Sequence, residues 1–413
     1  MAASVRDIIR ACEKGLAADY RRIEEIALHN QEKVLQALWQ ARLGDHHFKG
    51  STGYGYDDLG RETLDKVYAA VCGAEAALVR SQFVSGTHAI GAALFGNLRS
   101  GDELISASGT PYDTLHALIG NIEDPAPGTL RDMGISYREV PLTSSGELDL
   151  PACLAAISPA TKMLLLQRSR GYSWRPALSI AVLTDFISKI KAEYPQLIVF
   201  VDNCYGEFVE GEEPSQVGAD LMAGSLIKNP GGGLALGGGY IVGRAALIAK
   251  AAQRLTMPGL GSHMGATAGE WLRLAFQGLY LAPHVVGQAL KGMHLWAAVL
   301  ATLGFQVSPP PHGARADIIQ AVRLDSREQL LALAVAVQRA APVDAHLTPL
   351  PWHMPGYEDE IIMAAGAFIQ GSSLELSMDA PLREPYTAYL QGGLTLEHSH
   401  IALEKVLSNL KKT

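Results

Sequence analysis

From Arg61 onward, short apolar runs alternate with longer stretches of helical periodicity, and this alternation constrains the fold more than any other feature. The pattern begins with "AALVRSQF" followed by "HAIGAALFGNL" and continues through "TKMLLLQ" and "LIVFVDN". Strands that alternate with helices form a mostly parallel sheet with helices on both faces. The sequence therefore predicts an α/β fold in which helices sandwich the sheet.

The limits of this alternation divide the chain into three regions. Residues 1–60 are predicted to form an N-terminal helical arm, over 5–43, and a loop rich in glycine, tyrosine and aspartate. Residues 61–283 are predicted to form the large domain. Residues 284–413 open on a helix rich in alanine, leucine and tryptophan, then mix strands with helices, which predicts a smaller C-terminal α+β domain.

Charge and cysteine usage narrow the classes of partner. The net charge is −8, and the basic residues are scattered, which argues against a nucleic-acid or membrane-surface partner. The four cysteines have no CxxC spacing, which is typical of a reducing compartment and predicts a cytoplasmic protein. No apolar run reaches the roughly 18–20 residues of a membrane span. A small-molecule ligand is therefore expected.

Ligands of open parallel sheets bind beyond the carboxyl ends of the strands, so the residues that end each apolar run are the first candidates. In "QFVSGTHAI", an apolar run stops at Ser85, Gly86 and Thr87, and a helical pattern follows. Free N–H groups and the dipole of a helix start favour an anion there. A simple turn with Ser85 or Thr87 as the helix cap explains the same residues.

A second candidate is Asp202, which follows five apolar residues in "LIVFVDNCYGEFVE". A carboxylate at the tip of a buried strand is costly unless it pairs with a cation or accepts strong hydrogen bonds. Asp202 is therefore either a functional carboxylate or one half of a structural ion pair.

The third candidate is Lys228, in "GSLIKNPGGGLALGGGYIVG". A dinucleotide fingerprint fails because Leu236 takes the place of the last glycine, and a P-loop fails because no Gly-Lys-Ser/Thr occurs. Two interpretations remain, a solvated lysine and a buried amine of lowered pKa that forms a Schiff base. If Lys228 forms a Schiff base, the first glycine triplet, residues 231–233, is expected to form a wall without side chains, which a cofactor can approach closely.

Together, an anion cradle, a buried acid and a desolvated lysine at strand ends of one sheet are the groups that hold pyridoxal 5′-phosphate. The cradle would bind the phosphate, Asp202 would pair with the pyridine nitrogen, and Lys228 would form the imine. With Asp202 at the nitrogen, the ring stays protonated and withdraws electrons from the substrate Cα.

At these residues the sequence resembles the fold-type I pyridoxal-phosphate enzymes of cysteine and methionine metabolism. The closest resemblance is to the branch called methionine γ-lyase-like or aluminium-resistance proteins. It rests on six motifs in order: "GYGYDDLGRETLD", "QFVSGTHAI", "SGTPYDT", "VDNCYGEFVE", "GSLIKNPGGG" and "LREPYTAYLQGGLT". The resemblance implies the fold-type I transferase fold over nearly the whole chain.

The resemblance assigns roles to the residues at the strand ends. Lys228 is similar to the Schiff-base lysine and Asp202 to the pyridinium partner. Gly86 and Thr87 resemble the turn whose amides hold the phosphate, and Ser225 resembles the hydroxyl that adds another hydrogen bond to it.

An aromatic residue and a neighbouring subunit are also implied. Tyr112 is expected to stack on the cofactor ring; His88 could take this role instead, and Tyr112 could be a buried packing residue. In the wider family a tyrosine and an arginine from the neighbouring subunit reach the phosphate, which makes Tyr54 and Tyr56 candidates, while Arg61 lies beyond the usual arginine position. The expected assembly is a homo-oligomer, a dimer or a tetramer.

Arg383 is the candidate receptor for the substrate carboxylate, because guanidinium offers two parallel hydrogen bonds; a surface arginine is the alternative. No metal is expected, because the spacing of the histidines at 46, 47, 398 and 400 does not match a ligand set.

These roles predict a carbon–sulfur lyase that acts by β- or γ-elimination on a sulfur amino acid such as cystathionine, methionine or cysteine, and releases a keto acid and ammonia. Two alternatives remain open. The same scaffold supports aminotransferase and retro-aldol chemistry, and a pyridoxal-phosphate-binding protein with little catalysis would carry the same cofactor residues.

Overall fold

The computed structural model describes residues 4–120, 126–354, 357 and 359–410. The N-terminal arm consists of two helices, α1 (Val5–Gly15) and α2 (Ala17–Gln40), which meet at Leu16. The Ser4 hydroxyl caps α1 by accepting a hydrogen bond from the Asp7 N–H, which satisfies one of the free donors of the first turn. The predicted helical arm is therefore helical, but in two segments.

A seven-stranded sheet forms the centre of the large domain. Its strands are β1 (Ala76–Arg80), β2 (Glu103–Ser106), β3 (Ser136–Glu139), β4 (Thr161–Gln167), β5 (Ile198–Asp202), β6 (Leu221–Ser225) and β7 (Gly239–Gly243). Their order across the sheet is β1-β7-β6-β5-β4-β2-β3, and β7 alone runs antiparallel to the other six strands. The prediction of a mostly parallel sheet is confirmed.

Helices cover both faces of this sheet. They are α3 (Leu59–Val71), α4 (Gly86–Asn97), α5 (Asp113–Ile119), α6 (Leu150–Ala156), α7 (Ile180–Glu193) and α8 (Ala245–Leu255). Along β4, Leu164 and Leu166 lie in one apolar core, and Met163 and Leu165 lie in the other. Because successive strand residues point to opposite faces, a strand covered on both sides carries consecutive apolar residues, as Met163 to Leu166 of β4 do.

Helix α9 (Gly269–Thr302) links the large domain to the C-terminal region. It continues through Pro283, so the boundary placed at residues 283 and 284 falls within one helix. The three domain boundaries stay a prediction. Within the part of the chain that the structure describes, no helix is long and apolar enough to span a membrane.

A separate five-stranded antiparallel sheet lies in the C-terminal region. It contains β8 (Gln306–Ser308), β9 (Ile319–Arg323), β10 (Ile361–Ala364), β11 (Ser377–Pro381) and β12 (Thr387–Gln391), in the order β10-β11-β12-β9-β8. Helices α10 (Arg327–Ala340) and α11 (Leu396–Leu410) pack with one face of this sheet in a second apolar core. The predicted α+β character of this region is confirmed.

Candidate active site

A cavity of about 370 Å³ opens where the carboxyl ends of the parallel strands face the antiparallel sheet. Residues just after β2, β4, β5 and β6 line one side of it, and residues of β9, β10, β11 and β12 line the other. This is the crevice in which open α/β sheets bind ligands. Of the predicted residues, it brings together Ser85, Gly86, Thr87, Tyr112, Asp202, Ser225 and Lys228.

The start of α4 presents free hydrogen-bond donors to the cavity. The Ser85 hydroxyl caps the helix by accepting from the His88 N–H at 3.1 Å. No acceptor among the described residues takes the N–H groups of Gly86 and Thr87. A Cβ atom at Gly86 would lie 3.1 Å from Ser225 Cβ, so the Ser225 hydroxyl belongs to the same corner. Two amides and a hydroxyl at a helix start suit a phosphate group.

Asp202 ends β5 and is fully enclosed. Its Oδ1 accepts a hydrogen bond from the Cys204 N–H at 3.1 Å. Burial raises the pKa of Asp202, while the nearby Lys228 ammonium lowers it. A buried carboxylate that depends on a cation in the cavity is suited to hold a protonated ring nitrogen.

Lys228 lies three residues beyond the end of β6, and its Nζ is 3.9 Å from the centre of the Tyr205 ring. Tyr205 has a left-handed backbone, with φ of 72°, and its carbonyl accepts a hydrogen bond from Asn229 Nδ2 at 3.1 Å. A tyrosine in this conformation costs on the order of 1–3 kcal/mol, a strain often found at functional sites. The ring is thereby held against the amine.

The pKa of Lys228 shifts in the direction opposite to the sequence-based expectation. Burial lowers it, but the acidic side chains around it, Cys204, Tyr205, Tyr112 and Asp202, raise it more, and the net direction is upward. A lowered pKa was expected from an apolar, glycine-lined site, and that expectation is wrong for the chain without a bound ligand. The sequence does not show that acidic groups from two other strand ends, those of β2 and β5, surround the amine.

Tyr112 lines the cavity, whereas His88 does not. The Tyr112 hydroxyl hydrogen-bonds to Thr87 Oγ1. The backbone N–H of Tyr112 donates to Gln167 Oε1 at 2.9 Å. His88 Nδ1 accepts from the Val84 N–H at 3.2 Å, and burial lowers the pKa of His88. Of the two candidates, Tyr112 is therefore the one that reaches the cavity.

Besides His88, three predicted residues lie outside the cavity lining. Tyr54 and Tyr56 are 68% and 59% exposed, on a loop that Arg61 anchors by donating to the carbonyls of Gly55 and Gly265 at 2.6 and 2.8 Å. Arg383 forms an ion pair with Asp359 at 2.8 Å and is half exposed. The roles of Tyr54, Tyr56 and Arg383 stay predictions, and Arg61 is a buried structural residue.

The second glycine triplet, and not the first, contributes to the wall of the cavity. Gly231 packs against helix α9, where a Cβ atom at Gly278 would lie 2.2 Å from the Gly231 carbonyl oxygen. The cavity is lined instead by Gly237 and Gly238 of the second triplet. The expectation that the first triplet forms the bare wall is wrong, because its glycines allow a helix to approach rather than a ligand.

The contact at Gly278 predicts a loss of stability on overpacking. Gly278→Ala places a methyl group against the Gly231 carbonyl and is expected to lower the free energy of unfolding by about 2 kcal/mol, although alanine favours helices. Gly15→Ala is the control, since nothing lies within 4 Å of a Cβ there. Thermal unfolding of both variants tests this, and equal stability would contradict it.

Sequence reasoning missed the residues that the antiparallel sheet contributes. They are Ile319, Met363, Ser377, Asp379, Tyr389 and Gln391, and all of them line the cavity. Their signal was the polar residue at every second position of "LSMDAP" and "TAYLQ", since alternate residues of a strand share a face. Among the described residues no group of histidine, cysteine or acidic side chains could hold a metal ion.

Comparisons with known proteins agree with this geometry. A family model described as methionine gamma-lyase matches residues 5–411. A Listeria monocytogenes protein described as involved in aluminium resistance is 50% identical; the match covers 98% of this chain and 99% of that one, with a TM-score of 0.95. A carbon-sulfur lyase involved in aluminium resistance from Clostridium novyi is 44% identical, with 98% and 95% covered and a TM-score of 0.94.

A more distant structure shares the fold alone. It is a pyridoxal-5′-phosphate dependent protein from Escherichia coli, 20% identical, with 94% of this chain and 97% of that one covered and a TM-score of 0.60. This likeness confirms the predicted fold-type I architecture.

Proposed function

The chain belongs to the methionine gamma-lyase family, and on that premise we propose that it is a pyridoxal 5′-phosphate-dependent lyase that cleaves a carbon–sulfur bond of a sulfur amino acid. The observation that carries the proposal is one cavity lined by the start of α4, by Asp202 and by Lys228. The Clostridium novyi relative, described as a carbon-sulfur lyase, supports the bond that is cleaved. The motif-based family assignment is confirmed.

The residues fit the cofactor. The free amides of Gly86 and Thr87 and the Ser225 hydroxyl would hold its phosphate, and Asp202 would hold its ring nitrogen. The Lys228 amine would hold it covalently, and Tyr112 would pack on its ring. When bound, pyridoxal 5′-phosphate withdraws electrons from the substrate Cα.

Lys228 is also the base that this cavity offers to the substrate. Once the substrate amine has replaced it on the cofactor, its Nζ, held over the Tyr205 ring, would be free to take the proton from the substrate Cα. In β-elimination the electrons left at Cα would form a double bond to Cβ as the sulfur leaves Cβ and takes up a proton; in γ-elimination a Cβ proton would also be removed before the sulfur leaves Cγ. The rings of Tyr112 and Tyr205 line the cavity beside Lys228 and limit the access of water. Water then converts the released unsaturated amino acid into a keto acid and ammonia.

The substrate carboxylate has two sets of proposed partners. Arg383 remains a candidate, and to reach the cavity it would have to leave Asp359. The hydroxyls of Ser372, Ser373 and Ser377 line the cavity, are buried, and have no hydrogen-bond partner in the described structure. Unpaired buried donors are costly, so a carboxylate that accepts from them would stabilise the site.

An assay of the purified, cofactor-loaded protein tests the function. With cystathionine, methionine or cysteine, keto acid and ammonia are expected to form in the absence of an acceptor keto acid. Keto acid that forms only with an acceptor would instead identify an aminotransferase, and cleavage of threonine to an aldehyde would identify a retro-aldol enzyme. Bound cofactor with no spectral change across the amino acids would identify a binding protein.

We also propose a homo-oligomer whose subunits share the active site. Tyr54 and Tyr56 are exposed on an anchored loop, which suits contact with a second subunit. The expected mass by light scattering is that of a dimer or tetramer, and Tyr54→Ala and Tyr56→Ala are expected to weaken cofactor binding. A monomer with full activity would contradict the sharing.

A further inference from the structure

One face of the antiparallel sheet forms the side of the cavity that lies across from the strand ends. Asp379 in β11 and Tyr389 and Gln391 in β12 line the cavity, whereas the intervening Met378 and Leu390 lie in the apolar core behind the sheet. Alternate residues of a strand point to opposite faces. The Asp379 carboxylate is therefore presented to the cavity by a regular strand.

Asp379 lacks a cationic partner in the described structure. The Tyr172 hydroxyl and Gln391 Nε2 donate to its Oδ2 at 3.2 and 3.1 Å. No described residue donates a hydrogen bond to Oδ1, and no described lysine, arginine or histidine forms an ion pair with this carboxylate. Asp379 is only 9% exposed. A buried carboxylate supported only by neutral donors is costly, so it is suited to receive a cation.

Aromatic rings flank the same carboxylate. Tyr389 is the cross-strand partner of Asp379, and the centre of its ring lies 5.4 Å from that of Tyr172. Tyrosine faces attract ammonium groups through their ring quadrupole. Asp379, Tyr172, Tyr389 and Gln391 are called the Asp379 subsite below, and both its charge and its rings favour a cationic group.

The charges in the cavity leave this carboxylate uncompensated in the proposed enzyme. Lys228 is the only cationic side chain among the described lining residues, and the cofactor would occupy both Lys228 and Asp202. Burial raises the pKa of Asp379 to about 6, although hydrogen bonds from Tyr172 and Gln391 and the Lys228 charge lower it. A cation placed beside this carboxylate would stabilise its ionised form.

We propose that the Asp379 subsite binds an ammonium group on the part of the substrate that leaves with the sulfur. The inference rests on the proposed lyase function, in which the substrate α-amino group would replace Lys228 on the cofactor and a second ammonium would lie at the other end of the substrate. The substrate class is sulfur amino acids whose sulfur substituent carries an amine, such as thioethers that join two amino acids.

Two ligands of nearly equal size test this. S-(2-aminoethyl)-L-cysteine carries an ammonium where S-propyl-L-cysteine carries a methyl group, and the corresponding homocysteine pair covers γ-elimination. Binding to the holoenzyme is measured by calorimetry, and turnover by release of keto acid. We expect the wild-type chain to bind the amine about ten- to a hundredfold more tightly, as for a hydrogen bond between charged groups. In Asp379→Asn this preference is expected to fall below about threefold.

The control and the outcomes separate this inference from the lyase function. Asp185→Asn removes an exposed carboxylate that pairs with Lys189, and should leave the preference unchanged. Equal affinity of the wild-type chain for both ligands, or a preference that Asp379→Asn retains, would overturn the inference. A preference for the amine without any elimination would overturn the lyase and leave the subsite standing. If Asp379→Asn does not fold, the affinities of the wild-type chain for the two ligands still test the inference.

Discussion

Replacement of Lys228 by alanine is expected to lower kcat by about 10⁴-fold or more, because the chain then loses both its covalent link to the cofactor and the base that takes the substrate proton. Lys228 is partly buried, and its Nζ lies 3.9 Å from the centre of the Tyr205 ring. Among the described residues that line the cavity, no other amine could replace it. Keto acid release measures the rate, and mass spectrometry after borohydride reduction shows whether the residue 228 peptide carries the cofactor.

Two further variants distinguish the loss of a reactive amine from the loss of a positive charge. Lys228→Arg keeps a cation beside Asp202 but is expected to be as inactive as the alanine variant, since guanidinium stays protonated. Lys189→Ala removes an exposed lysine that pairs with Asp185 on the surface of α7, and should be fully active. Turnover near the wild-type level in Lys228→Ala would refute the assignment of this lysine.

Asp202→Asn is expected to lower kcat by about 10² to 10³-fold while the protein stays folded. Asparagine keeps the shape of the side chain but removes the negative charge that stabilises a protonated ring nitrogen, and an electrostatic partner of this kind is worth about that factor. Burial already raises the pKa of Asp202, so loss of its charge does not remove a stabilising ion from the ligand-free fold. The same change removes one group that raises the pKa of Lys228, and the pKa of that amine should fall.

The measurements for Asp202→Asn are kcat, the cofactor dissociation constant and the thermal unfolding temperature of the ligand-free chain. Loss of kcat with an unchanged unfolding temperature is the expected result. Asp202→Glu tests whether charge alone is enough, and Asp185→Asn controls for removal of a carboxylate from the surface. Normal turnover in Asp202→Asn would show that Asp202 is one half of a structural ion pair.

Local patterns identified the residues at the ends of the parallel strands. Asp202 was found because it follows five apolar residues, and Lys228 because it follows a short strand beside glycines. Each strand of this sheet is continuous in sequence with the turn that follows it, so one segment contains both the strand and its functional residue. The predicted cradle at Ser85, Gly86 and Thr87 lies in the same cavity for the same reason.

Other properties depended on segments far apart in the chain. The upward shift of the Lys228 pKa comes from acidic side chains at other strand ends, namely Cys204, Tyr205, Tyr112 and Asp202. The roles of the glycine triplets depended on where α9 crosses, since only contact with Gly278 shows which glycines face a helix. No periodicity within the triplets contains that information.

The sequence by itself determined the α/β fold and the family, and it predicted the candidate residues at the strand ends, because strand and helix periodicities and strand-end motifs are local properties of the chain. Only the tertiary structure decided which residues of the antiparallel sheet line the cavity. Asp379 and Tyr389 lie more than a hundred residues from Lys228 in sequence, and they share its cavity because the two sheets face each other across it. The substrate side of the site therefore arises from packing between distant segments, which local patterns do not report.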